Sequence, residues 1–303
     1  MTHRYDHELG RRDFFKVTGL GLAAAKFLGG CAPPQSSDAE NQVSITVEGD
    51  LRIVRSNGMP DHPTGEFPNR HCPGPILEQH HVFEMPIKPA ALTVAVPIGF
   101  TTFGVAVNGV PFDPAGPHYQ GDDTNAWQFD PVAPNVGPYL GVDFELAHTQ
   151  PNGAYHYHAI APDLIGPRVT PDRMTLLGWA ADGFPIYWQL APQLAGDPHS
   201  PLVALRPSYR LRSGPRPVDA PPGEFDGTFI QDYEYVAGLG DLDEANGRTG
   251  VTPEFPDGTY YYLMTDAWPY IPRHHRGVAD RSFKHSRTPG LQGLPPELRR
   301  YGM

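Results

Sequence analysis

The segment Ala154-Tyr155-His156-Tyr157-His158-Ala159-Ile160 decides how the chain is read. Aromatic and imidazole side chains alternate along it, the period-2 pattern of a strand. On a strand His156 and His158 project from one face, about 6.5–7 Å apart, and Tyr155 and Tyr157 from the other. Two imidazoles on one face can converge on a single ion, because neutral imidazole nitrogens suit zinc, copper, nickel or iron. The same spacing also fits two ordinary polar side chains facing a solvated cleft.

Outward from this segment the chain reads as strands and turns. Gly141–Leu146 is expected to pair with Ala154–Ile160 across Pro151-Asn152-Gly153. Val43–Glu48 and Leu51–Arg55 form a hairpin across Gly49-Asp50, and Gly104–Val107 ends at Asn108-Gly109, a strong hairpin dipeptide. Leu92–Val96, Leu176–Ala180, Phe184–Trp188 and Thr259–Met264 are further strands, and Asp122–Phe129 is the one short helix expected. The 33 glycines and 36 prolines suit turns and long loops. The fold class expected is mainly β, a β-sandwich or distorted barrel with long Pro/Gly-rich loops.

The first thirty residues have a different character. Arg11-Arg12-Asp13-Phe14-Phe15-Lys16 resembles a twin-arginine export signal. The apolar Val17–Leu28 stretch is shorter than the roughly twenty residues that span a bilayer. Leu28-Gly29-Gly30-Cys31 then resembles a lipobox. The expected organisation is a signal peptide over 1–30, a flexible tether over 31–42 beginning at lipidated Cys31, a domain over 43–285 and a tail over 286–303. The expected partners are therefore the twin-arginine translocase, the lipoprotein-processing enzymes and a membrane held through lipid on Cys31. The expected location is the extracytoplasmic side of the cell envelope.

The chain carries a net charge of −11. Such a surface repels nucleic acid and is compatible with cation binding. With Cys31 acylated, Cys72 has no partner, so a disulfide framework is excluded. Cys72 is a buried thiol or a ligand.

A metal needs more than two ligands. His62 and His148 are the preferred additions to His156 and His158, and His71, His80, His81, His118 and Cys72 also remain open. Asp241, Asp243, Glu244 and Asn246 form an oxygen-rich loop that suits either calcium or a capped structural turn. Asn108, Trp179, Asp182 and Tyr187 suit a pocket with aromatic walls, although the tryptophan fits a core equally well.

Several blocks in order resemble the YHYH-domain proteins of secreted bacterial origin, over roughly residues 43–280. They are Asn57-Gly58-Met59-Pro60-Asp61-His62, Val107-Asn108-Gly109-Val110, Tyr155–His158, Gly178–Tyr187, Asp241–Arg248 and Trp268-Pro269-Tyr270. The resemblance implies the domain type more firmly than an activity. In the family the fifth block usually reads D-L-D-E-C-N-G-R, with a second cysteine after the Pro-Tyr block. Here Ala245 and Pro272–Arg276 stand at those places, which removes the disulfide that relatives would form.

Three functions are therefore expected. One is an exported protein with a histidine-based transition-metal site, copper or zinc. Another is a calcium-dependent glycan- or surface-binding module. The third is a metal-free hydrolase using Asp182, Asp241 or Asp243 as acid and base.

Overall fold

Val43–Glu48 and Leu51–Ser56 form the expected antiparallel hairpin, turned by Gly49 at φ 64°. Leu51–Ser56 pairs on its other side with His81–Pro86, completing a three-stranded sheet. The computed structural model describes residues 35–99, 101–119 and 127–284. Among the described residues no helix is long and apolar enough to cross a membrane.

A second, eight-stranded sheet carries most of the molecule. Its strands lie in the order Gly247–Thr252, Phe255–Met264, Pro185–Trp188, Leu176–Ala180, Gly104–Ala106, Pro111–Phe112, Tyr155–Tyr157 and Ala147–Thr149. Two neighbouring pairs are parallel, Pro185–Trp188 with Phe255–Met264 and Pro111–Phe112 with Tyr155–Tyr157. The rest are antiparallel, so the sheet is mixed.

The two sheets pack face to face. Val54, Phe83 and Met85 of the small sheet meet Val105, Trp179 and Ala181 of the large one, with Phe283 between them. Alternation sends Ala106 and Ala180 to the opposite face, and a register shift that skips Leu177 in the pairing with Pro185–Trp188 turns Leu177 there too; they join Phe103, Phe112, Tyr155, Tyr157 and Tyr262 in the largest core. Both faces of the large sheet are thus buried. The fold is mainly β and sandwich-like, with no closed barrel among the described residues.

Three elements differ from the sequence reading. Of Leu92–Val96, only Val96–Pro97 pairs, with His274–His275; Val94 is 64% exposed, so this alternation has no core to face. Gly141–Leu146 is a turn rather than a strand. Asp143 Oδ1 accepts the backbone N–H groups of Glu145 and Ala147 at 2.9 and 3.2 Å, and Leu146 takes φ 54°. The partner of the histidine strand is instead Ala147–Thr149. Residues 122–126 of the expected helix lie outside the described residues, and Gln128 and Phe129 form β-bridges. Among the described residues helix is confined to Gly137–Leu140, Pro162–Ile165 and two short 3-10 turns.

The segment read as a flexible tether also behaves differently from Gln35 onward. Ser36 Oγ donates to the Phe67 carbonyl at 2.7 Å and accepts the Ile76 N–H at 2.9 Å. The Ser37 N–H donates to the Ile76 carbonyl at 2.7 Å, and the Gln42 N–H to Asn57 Oδ1 at 2.9 Å. Cys31, the signal peptide and residues 286–303 lie outside the described residues.

Candidate metal centre

The Ala147–Thr149 and Tyr155–Tyr157 strands form a tight hairpin at the edge of the large sheet, with His148 directly opposite His156. Gly153 makes the return possible. It adopts φ 84°, and a Cβ there would lie 2.7 Å from the Leu77 Cβ. The Gln150 N–H donates to the Ala154 carbonyl and the Gly153 N–H to that of Gln150, at 2.9 and 2.8 Å. His158 follows the strand by one residue, and its N–H donates to the Leu146 carbonyl at 2.8 Å, which keeps the ladder in register.

Register and alternation bring three imidazoles together. One ring nitrogen from each of His148, His156 and His158 lies within 4.8 Å of the other two. Ring centroids are 4.8 Å apart for His148 and His156, 4.7 Å for His148 and His158, and 4.6 Å for His156 and His158. The Nε2 atoms of His156 and His158 are 3.1 Å apart. Tetrahedral zinc with Zn–N bonds of about 2.0–2.1 Å spaces its ligand nitrogens about 3.3 Å apart. Small ring movements would therefore complete a three-nitrogen site.

Backbone carbonyls orient two of the rings. His148 Nδ1–H donates to the Leu140 carbonyl at 2.8 Å, and His156 Nδ1–H to the Ala154 carbonyl at 3.2 Å. These bonds fix the tautomer that leaves each Nε2 lone pair for an ion, the outer-shell arrangement usual for histidine ligands. Burial holds His148 and His158 below the ordinary imidazole range, and for His158 the neighbouring His156 and His148 push the same way. The rings are thereby kept neutral, the state in which imidazole binds metal. Asp113, which the sequence reading did not single out, adds a negative charge that acts on His148. Its N–H donates to the carbonyl of Tyr157, between the two histidines, at 2.8 Å. Its sequence signal is its place directly after the Pro111–Phe112 strand that parallels the histidine strand.

Tyr155 and Tyr157 occupy the opposite face, fully buried. The Tyr155 hydroxyl donates to Asp143 Oδ2 at 2.8 Å. The Tyr157 hydroxyl donates to His62 Nε2 at 2.6 Å and accepts from Asn108 Nδ2 at 2.9 Å. Burial pushes both phenols up, so neither ionises near neutrality. His62 is therefore corrected as a ligand. It sits behind the strand, and its Nδ1–H is committed to the Pro63 carbonyl at 2.8 Å.

The other residues singled out fall into separate structural roles. Asn108 bridges Tyr157 to Asp61, whose Oδ1 is 2.7 Å away. Trp179 is covered by the Arg52 guanidinium at 3.3 Å, and burial pushes Arg52 down to about 10. Tyr187 belongs to a different cluster; its hydroxyl accepts from Thr252 Oγ1 at 2.9 Å and donates to Glu254 Oε2 at 2.5 Å. Asp182 is buried and accepts from the Tyr262 hydroxyl and, at 2.8 Å, from the Gly277 N–H. Asn108 and Asp182 bond to tyrosines of the largest core, whereas Trp179 and Tyr187 belong to two other clusters.

The Asp241–Asn246 loop is a structural turn. Asp243 Oδ1 accepts from the N–H groups of Ala245 and Gly247 at 3.0 and 3.2 Å and from the Tyr260 hydroxyl at 2.9 Å. Asp241 Oδ2 accepts the Arg206 N–H at 2.9 Å, and Asn246 Nδ2 donates to the Leu263 carbonyl at 2.8 Å. Exposed Glu244 contributes its carbonyl to the Tyr209 hydroxyl at 2.6 Å. Asp243 Oδ1 and Asp241 Oδ2 are thus taken by protein donors, and among the described residues Asp241, Asp243 and Glu244 do not converge as a metal-binding group. The same bonds remove Asp182, Asp241 and Asp243 as a free acid–base set. Cys72 is a buried thiol, 3.1 Å from Thr149 Oγ1.

A sandwich-like β fold with three converged imidazoles on an edge hairpin defines a histidine-cluster protein with a site that could bind metal. The family model described as YHYH protein matches residues 82–277, and the chain belongs to that family. No curated protein and no solved structure matches it.

Proposed function

We propose that this YHYH-family protein is an exported, lipid-anchored metal-binding protein whose His148, His156 and His158 hold one transition-metal ion, copper or zinc. The observation that carries the reading is the convergence of three buried or partly buried imidazoles with no carboxylate or thiolate in the group. Neutral nitrogen donors select first-row transition ions over calcium or magnesium. Three protein ligands leave a fourth position for water or a small ligand, which suits metal handling or metal-assisted hydrolysis. The twin-arginine and lipobox residues support export, and that route carries proteins folded around a cytoplasmically loaded ion.

Elemental analysis of the protein purified from its native envelope tests this. About one transition-metal ion per chain is expected. The His156→Ala, His158→Ala double variant should remain folded and lose the ion. Full metal occupancy in the double variant, or calcium in place of a transition metal in the parent, would overturn the proposal.

A further inference from the structure

We infer that the face around Gln35, which carries Leu77 and Phe144, is held against a lipid surface, with the histidine hairpin on that same side. The inference rests on the lipid anchor at Cys31 proposed above.

The clamp at Ser36 shortens the leash. Were residues 31–42 free, the domain could rise and tumble above the bilayer. Ser36, Ser37 and Gln42 are instead bonded to Phe67, Ile76 and Asn57 at 2.7–2.9 Å. Asn41 Nδ2 donates to the Asn108 carbonyl at 2.7 Å. Only five residue steps separate Cys31 from Ser36, a reach of at most about 18 Å. A domain of about 250 residues has a radius of gyration of about 18 Å, equivalent to a sphere of roughly 23 Å radius. The leash is thus shorter than the radius of the body it holds. Rotation that carries the exit point to the far side is sterically blocked.

That face has the chemistry for the contact. Leu77, next to clamped Ile76, is 38% exposed, and Phe144 is 57% exposed. Phe144 follows Asp143, whose Oδ2 accepts the Gly65 N–H at 2.9 Å. Gly65, Ser36, Phe67 and Ile76 line one cleft of about 520 Å³, so both apolar side chains flank the place where the chain emerges. The domain's negative charge opposes anionic headgroups, which leaves the leash and these side chains to set orientation. The histidine hairpin is fastened to the same segment. The Leu77 N–H donates to the Gly153 carbonyl at 2.9 Å, and Thr149 Oγ1 to the Gly74 carbonyl at 2.9 Å.

Full-length lipidated protein is reconstituted in phosphatidylethanolamine–phosphatidylglycerol vesicles bearing an acceptor dye on the headgroup. A donor dye is placed at Leu77→Cys or, for reference, at Val218→Cys, a fully exposed loop position; buried Cys72 is left in place. Energy transfer from position 77 should exceed that from position 218. A Gly-Ser insertion of about 20 residues after Cys31, with a span of about 25 Å, should abolish the difference while leaving the protein on the vesicle. Equal transfer from the two positions on bound protein overturns the orientation and leaves the anchor standing. Persistence of the difference after insertion overturns the leash as its cause. Mass spectrometry showing an unacylated Cys31 removes the anchor and this inference with it.

Discussion

Replacing His148 with alanine removes one of three converging imidazoles at the least fold-disturbing place. The residue is partly exposed on an edge strand, whereas His156 and His158 are each 2% exposed. A metal present at a hundred times its dissociation constant stabilises the folded protein by about 2.7 kcal/mol. For a domain of this size each kcal/mol moves the melting temperature by about 2–4 °C, so saturation should raise it by roughly 5–11 °C. Disturbing a mere outer-shell partner of a ligand lowers affinity by about 10–100-fold, and losing the ligand should do at least as much. A hundredfold loss at the same metal concentration takes the ratio to the dissociation constant from 100 to 1. The remaining stabilisation is about 0.4 kcal/mol, close to 1 °C. Thermal melts with zinc, with copper(II) and with a chelator, on parent and variant, read this difference directly. An equal metal-induced shift in His148→Ala would refute the three-ligand reasoning. So would parent protein that melts at one temperature in all three conditions.

The Arg216 guanidinium is 1% exposed and holds fully buried Asp232 through bonds of 2.7 and 2.6 Å. Asp232→Ala should cost about 3–5 kcal/mol in urea unfolding by leaving the buried guanidinium with only half-exposed Asp226 as an ionic partner, whereas Asp241→Ala, at an exposed pair with Arg206, should cost under about 1 kcal/mol. Equal losses from the two variants would contradict this ranking. Gly153→Ala forces a side chain into φ 84° and against Leu77. A loss of more than about 1 kcal/mol is expected, with weaker metal uptake; unchanged stability and uptake would show that the turn does not set the hairpin. Burial holds His81 down to about 4, below the ordinary imidazole value of 6.5. Its contribution is complete above pH 6.5 and is lost as pH falls from there through 4, because the unfolded chain takes up the proton first. The loss is about 2 kcal/mol, and His81→Gln should flatten that limb of the stability–pH curve; an unchanged limb would exclude His81 as its source.

Much of the scaffold was legible because strand alternation and Gly-containing turns are local signals. Val43–Glu48, Leu51–Arg55, Leu176–Ala180 and Thr259–Met264 announce themselves in this way, whereas the Phe255–Gly258 start of the last strand, with its proline and glycine, does not. The histidine pair was legible for the same reason, since period-2 alternation fixes which side chains share a face. The third ligand was harder. Five residues between Thr149 and Tyr155 place His148 opposite His156, but that register depends on where Asp143 ends its turn, and Asp143 works through its side chain. His62 is one of several histidines that the sequence offers as a further ligand, and its actual partner, the Tyr157 hydroxyl, is a long-range contact. Asp182 and Asp243 looked reactive as bare letters. Only tertiary structure shows Tyr262 and Tyr260 donating to them from a neighbouring strand. The clamp at Ser36 was illegible because its acceptor, the Phe67 carbonyl, is a backbone atom thirty-one residues away.

Tyr155 and Tyr157 fasten the rear of the histidine hairpin to Asp143, His62 and Asn108, so the imidazoles cannot splay apart without breaking those bonds. The three rings form a nearly equilateral triangle, with centroids 4.6–4.8 Å apart. That arrangement caps one side of an ion evenly. An ion content with trigonal or tetrahedral surroundings finds its donors already set. One that insists on a square must set two nitrogens opposite each other at about 4 Å and drag the edge of the sheet with them. Discrimination between metals then resides in the stiffness of the frame behind the donors rather than in the donors themselves.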